Sequence, residues 1–299
     1  MNMLLILCLL AGAVTRWTGR YPEQLVPSVN WWLITIALPC VILTLIPHTR
    51  IDSAGLFPVL SMWVVFLGAL MVALLARRVA GWSREVCGVL ILVAGIGNTS
   101  FMGFPVISGY YGAEGLKIAV IADQLGSFII LSTAGVITMA LCSGNGISLR
   151  SVLTRIITFP PFIALIISPG LKLFGGLPDM FQTPLVSIGA TMTPLALFSV
   201  GLQIRLRPPR LLLAPLITGI CWKLIAAPAM VWLLSAGFTS LSHEVISISL
   251  LQAGMAPMIA AAMMAQRAGL RPELANSLQS YGILFSFITL AGWHSVLQV

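Results

Sequence analysis

Two charged side chains stand inside long apolar stretches: Asp123 in AVIADQLGSF and Lys223 in GICWKLIAAP. A charge at the centre of a bilayer costs about 3 kcal/mol on insertion scales and usually marks an ion or substrate path. At 1.5 Å per residue, both lie roughly 10–12 Å below the same face of the membrane. Three chemistries fit: a structural ion pair between them, a proton or sodium site at Asp123 with Gln124, or Lys223 as a charge that attracts an anion. Two short polar interruptions lie close by in kind. One is Gly97-Asn98-Thr99-Ser100-Phe101-Met102-Gly103-Phe104-Pro105, the other Gln252-Ala253-Gly254-Met255-Ala256-Pro257. Broken backbone is costly in lipid and is tolerated where it lines a cavity. A matched pair of breaks, one per half of a chain, points to the binding site of a secondary transporter.

The residue types at the breaks suit an anion. The Asn98 and Gln252 amides can donate to a carboxylate or offer an oxygen to a cation. Half-helices starting near Gly103–Pro105 and Pro257 would aim their positive ends at the crossing. Thr99, Gly103, Pro105, Gly254 and Pro257 complete this set of substrate-binding candidates, with Lys223 and with Gln279, which matches Asp123 in the other half. A pair of proline kinks satisfied by neighbouring polar groups would leave the same sequence pattern.

Other chemistry is not visible. His48, His243 and His294 lack ligand-spaced partners, so no metal site is expected, and no cofactor beyond a coupling proton or sodium ion. Met255, Met258, Met263 and Met264 read as packing filler. No phosphate loop, nucleophile elbow, HExxH or catalytic carboxylate pair occurs, so the chain is not expected to be an enzyme. The five cysteines lie singly in or beside apolar segments, as small buried hydrophobes do.

The elements that must position these residues are membrane helices. Of 299 residues, 59% are hydrophobic and 8% charged, against about 25% charged in soluble domains. The net charge of +8 is scattered between apolar runs, which argues against a nucleic-acid partner. Ten segments are expected: 2–15, 28–46, 56–76, 86–111 (broken), 116–141, 152–174, 184–204, 211–234, 245–266 (broken) and 274–297. With the N-terminus outside, twelve arginines fall in inner loops, among them Arg16, Arg77, Arg205, Arg207 and Arg267. Only Arg50, Lys117 and Lys172 fall in outer ones, so both termini should face outward.

Divided near Ser143–Ser148, the chain gives a first repeat at 1–142 and a second at 149–299, five segments each. An odd number forces the second repeat to start from the opposite side, so the repeats are inverted. Pro39 then corresponds to Pro194, the broken fourth segment to the broken ninth, and Asp123-Gln124 to Gln279-Ser280.

At these residues the sequence resembles the auxin efflux carrier family, which includes bacterial malonate and malate carriers. The likeness rests on Ala37-Leu38-Pro39, Gly97-Asn98-Thr99 through Pro105, Tyr111–Leu116 running into Asp123, Phe198–Leu202, Lys223 and Ala256-Pro257. It covers nearly the whole chain. The resemblance implies an all-α polytopic membrane protein of ten transmembrane helices in two five-helix inverted repeats, with helices four and nine crossing at their breaks. It further implies a scaffold of helices one, two, six and seven, a moving core of the others, and a homodimer built through the scaffold. The long hydrophilic loop of plant auxin carriers is missing, so the compact prokaryotic form is expected, in a bacterial inner membrane.

The function expected is secondary active transport of a small organic anion, a mono- or dicarboxylate, by alternating access around the crossing. A sodium-coupled symporter of larger amphipathic acids, of bile-acid type, is the alternative within this class. A non-transporting membrane sensor subunit is the alternative outside it.

Overall fold

The computed structural model describes residues 3–48, 55–144, 149–173, 177–204, 210–238 and 240–298. Among them every regular element is helical. In chain order these are α1 (Met3–Thr18), α2 (Leu25–Leu45), α3 (Leu56–Ala80), α4 (residues 84–94), α5 (Gly103–Ser143), α6 (Leu149–Ile157), α7 (Pro160–Leu173), α8 (Met180–Leu202), α9 (Leu213–Ser235), α10 (His243–Ala253), α11 (Ile259–Arg267) and α12 (Pro272–Leu297). Six of these helices are long and apolar enough to cross a bilayer: α2, α3, α5, α8, α9 and α12. The chain is therefore a polytopic membrane protein. Arg50, Arg205 and Arg207, and most of the expected junction between repeats, lie outside the described residues.

Of two expected boundaries, the one between 86–111 and 116–141 falls at a kink within α5, and the expected segment 152–174 is itself divided. The 41 residues of α5 would extend about 62 Å at 1.5 Å per residue, twice a bilayer core. Gly112 divides them, with φ 63° and ψ −154°, a conformation open to glycine. The expected segment 152–174 breaks between α6 and α7 because Pro160 and Pro161 disfavour helix in the residue before them.

The lipid-facing surface and the core separate cleanly. Met71, Val79, Leu233 and Ile288 are at least 71% exposed, as bilayer-facing side chains are, while Leu92, Val93, Leu250 and Leu251 are fully buried. Along α1 and α8 two glycines let the backbones touch. A Cβ on Gly12 would lie 2.1 Å from the Phe198 carbonyl oxygen, and one on Gly201 would lie 2.2 Å from that of Leu9. Such small-residue contacts replace the hydrophobic drive that lipid cannot supply.

The broken helices are alike in construction. Ser83 accepts a hydrogen bond from the Val86 N–H at the start of α4, and Ser242 accepts one from the Val245 N–H at the start of α10. These are N-caps that satisfy an orphan donor. Each helix then runs eleven residues before it breaks. After the breaks come α5 and the nine-residue α11. One end of the bundle gathers basic residues: Arg84 and Arg271 both act on Glu85, and Arg77 and Arg84 both act on the Cys142 end of α5.

Candidate functional site

The two breaks are tied together by their backbones. Residues 95–102 and 254–258 meet in an antiparallel bridge between Gly97 and Pro257. The Asn98 N–H donates to the Ala256 carbonyl at 2.7 Å, and the Met258 N–H donates to the Ile96 carbonyl at 2.9 Å. In lipid these four groups would otherwise lack partners. The prolines suit this arrangement. Pro105 lies in the first turn of α5, where a missing N–H costs no helical bond. Pro257 packs on α12 at Gly282, where an added Cβ would come 2.3 Å from the proline ring.

Side chains fill the crossing from both halves. Gln252 is buried against Gly103, where a Cβ would fall 2.3 Å from its Oε1. Its Nε2 donates to the Thr99 carbonyl at 3.2 Å. The Thr99 hydroxyl donates to Asp123 Oδ1 at 2.5 Å, and Gln124 Nε2 donates to Asp123 Oδ2 at 2.7 Å. Asp123 and Gln124 lie on a π-helical stretch of α5, Ala122–Ser127, and Lys223 lies on another in α9, Trp222–Ala226. Such widened turns interrupt the regular ladder and occur often at functional sites.

Asp123 and Lys223 do not pair. The ion pairs among the described residues are Lys117–Glu114 and Arg271–Glu273. Lys223 is fully buried and donates to the Ala253 carbonyl at 2.7 Å. Each charge instead lies by the half-helix end of opposite sign. Lys223 meets the carboxyl end of α10, and Asp123 accepts from Thr99, just ahead of the amino end of α5. These are the placements that the helix dipole favours.

A cavity of about 570 Å³ opens beside the crossing. Asn98, Ser100, Phe101 and Asp123 line its deep part, together with Met258, Ile259 and Ala260 at the amino end of α11. It runs along α2, α5 and α11 to Val26, Met139 and Arg267 at the basic end of the bundle. Its walls are largely apolar, with Trp31, Phe128, Phe159, Met263 and Met264. The deep polar group is incomplete. Asn98 is 2% exposed, and its Oδ1 accepts from the Phe101 N–H at 3.2 Å. Its Nδ2 has no partner. The Ser132 hydroxyl also lines the cavity and is also unpartnered. Buried donors without partners are rare, and each calls for an explanation.

Of the residues singled out from sequence, Asn98 and Asp123 reach the cavity. Thr99, Gln124, Gln252 and Lys223 surround the crossing without lining that cavity, and Gly103, Pro105 and Pro257 shape it. Gly254 packs loosely on Pro228, and Gln279 is buried on α12 away from the cavity lining. Sequence reasoning missed Asn30 of α2, which lines the cavity opposite the breaks. Gln203 Nε2 donates to Ser199 Oγ at 3.2 Å, and Ser199 Oγ donates to Asn30 Oδ1 at 2.5 Å. That relay fixes the Asn30 amide and leaves its Nδ2 unused. A lone amide within Ser28–Ile46 was the available signal. Arg267, counted only as a loop charge, also lines the cavity.

A family model described as "Membrane transport protein" matches residues 1–145 and 146–294. The chain belongs to this family, the auxin efflux carrier family that the sequence resembles. Two relatives are described as uncharacterized transporters. One, from Methanothermobacter thermautotrophicus, is 28% identical over 301 residues, 98% of this chain and 96% of its own. The other, from Methanocaldococcus jannaschii, is 30% identical over 234 residues, 75% of this chain and 72% of its own. The protein is thus a membrane transporter and not an enzyme.

Proposed function

We propose that this transporter is a secondary carrier of a small organic anion, a mono- or dicarboxylate, which binds beside the crossing and passes by alternating access. The observation that carries this reading is the Asn98 Nδ2, buried, unpartnered and on a cavity lined also by the amino end of α11. Unused donors dominate the polar lining: Asn98, Asn30, Ser132 and Arg267. The acidic side chain there, Asp123, already has both oxygens engaged. An acceptor-rich, negatively charged guest matches that balance.

Coupling is proposed at Asp123 with Gln124. A substrate anion beside the Asp123 carboxylate would place two negative charges in one desolvated space. A proton or sodium ion arriving with the substrate removes that repulsion. The same architecture supports ten membrane segments in two inverted repeats, with α4/α5 and α10/α11 as the crossing pair in a core that moves against α1, α2, α7 and α8. A dimer through that scaffold is part of the proposal. The arginine asymmetry supports both termini outside a bacterial inner membrane, with this cavity open to the inside.

A second reading draws on the cavity walls. Their aromatic and methionine side chains favour acids with an apolar body over compact polar ones, as in sodium-coupled carriers of amphipathic acids.

Thermal-shift measurements on purified protein would test both readings, using compact dicarboxylates and amphipathic monocarboxylates, with and without sodium, at two pH values. Uptake into liposomes would follow. Stabilisation by an organic acid that is also taken up is expected. No stabilisation by any acid would overturn the anion reading, and binding without flux would overturn transport of that anion.

A further inference from the structure

Lys223 stands at the crossing, and the proposed function does not use it. It contributes nothing to the cavity lining, yet it carries a charge into the most buried part of the protein. Burying an ammonium costs several kcal/mol unless its surroundings compensate. Here the answer is one backbone hydrogen bond, with no counter-ion among the described residues. Lys223 Nζ donates to the Ala253 carbonyl, the last of α10, and no carboxylate pairs with it.

The neighbouring carbonyls show why a cation fits. The last four carbonyls of a helix have no intrahelical partner. In α10, Leu250 accepts from the Gly254 N–H and Gln252 from the Met255 N–H. Ala253 O is answered by the ammonium alone. Beyond the break, Ala256 O accepts from Asn98. On its other side the ammonium lies against Gly97, where a Cβ would stand 2.9 Å from Nζ. The glycine thus makes room for the charge at the bridge between the breaks. In ion-coupled carriers with broken helices, unwound carbonyls and half-helix carboxyl ends hold the inorganic cation.

We propose that the Lys223 ammonium is a tethered cation. It occupies the place at the carboxyl end of α10 that a monovalent inorganic cation would otherwise fill, and it holds the bridge between the breaks without one. Removing the side chain opens a cation site there. The inference rests on the geometry of the crossing, and its readout is stability without substrate, so it stands or falls apart from the anion reading.

The test compares wild-type protein with Lys223→Ala in lithium, sodium, potassium and choline chlorides. The melting temperature of Lys223→Ala should rise by about 2–4 °C between choline and about 0.2 M of the best-fitting small cation, over and above any response of the wild type. Methylammonium should restore stability in the same way. A folded Lys223→Ala protein that responds to no cation more than the wild type does would overturn the proposal. Should Lys223→Ala be unrecoverable in every salt, Lys223→Arg and Lys223→Met decide the matter. Arginine keeps the cation and should retain most of the stability, whereas methionine keeps only the bulk and should lose it. A Lys223→Met protein as stable as the wild type in choline refutes the tethered cation.

Discussion

Asn98 presents two polar atoms, and their roles can be separated. Its Oδ1 accepts from the Phe101 N–H and holds the first break in shape, while its Nδ2 has no partner among the described residues. Asn98→Ala removes both. The buried Phe101 N–H then loses its acceptor, which costs about 1–3 kcal/mol of stability. The substrate loses a buried donor, worth a similar about 1–3 kcal/mol and so roughly a 5- to 150-fold rise in Kd. Asn98→Asp is the sharper perturbation. It keeps the acceptor for Phe101, removes the donor and adds a negative charge beside Asp123. At about pH 8 its melting temperature without ligand should nonetheless fall, because a second buried carboxylate beside Asp123 is desolvated and repelled by it. Its affinity for an organic anion at about pH 8 should fall at least as far as that of the alanine variant. Calorimetric titration with the best-stabilising acid measures Kd, and scanning calorimetry measures the fold. Wild-type affinity in Asn98→Asp would refute the assignment of the free amide to the substrate.

Further expected outcomes follow from other contacts. Asp123→Asn should abolish gradient-driven accumulation in liposomes while leaving binding or exchange measurable; full accumulation would exclude Asp123 from coupling. Asn30→Ala should weaken substrate binding by roughly 5- to 100-fold and lower the melting temperature, because the buried Ser199 hydroxyl loses the acceptor it donates to; unchanged Kd would remove Asn30 from the site. Gly282→Ala should cost about 1–3 kcal/mol of stability, since the rigid Pro257 ring cannot yield to a Cβ at 2.3 Å. Gly103→Ala should cost less, because the atom it meets ends the flexible Gln252 side chain; thermal denaturation of the two variants gives the order. Single cysteines at Ser143 and Glu114, in a cysteine-free background and intact cells, report orientation. The Glu114 probe should react with an impermeant thiol reagent and the Ser143 probe should not; the reverse pattern would invert the topology.

Much of the crossing was legible because its signals are local. Gly, Pro and amide residues inside apolar runs mark a break wherever they occur, and two such breaks at corresponding places announce a pair. Asp123 and Lys223 were conspicuous for the same reason: a charge in an apolar stretch has few structural excuses. Their partners were not legible. Both lie at a similar depth, which invites an ion pair, but only three-dimensional packing reveals that each charge is matched to a half-helix end. Asn30 was hidden for a related reason. Its importance comes from Ser199, 169 residues away, and no pattern within α2 records that relay. Arg267 looked like one of many loop arginines because its place on the cavity depends on how α11 packs beside α2 and α5.

The bridge between Gly97 and Pro257 joins residues 160 positions apart (257 − 97), and this bears on the making of the protein. A ribosome adding about 5–20 residues per second needs roughly 8–32 s to travel that far. Throughout that interval the first break exists without the second. The Asn98 N–H and the Ile96 carbonyl, which the finished protein pairs with Ala256 and Met258, must meanwhile find water or the insertion machinery. Residues 1–142 alone are therefore an unfinished membrane protein. Expressed without the second half they should be degraded, and co-expressed as a separate chain with residues 149–299 they should be rescued. The two halves thus share a biosynthetic deadline as well as a backbone bridge.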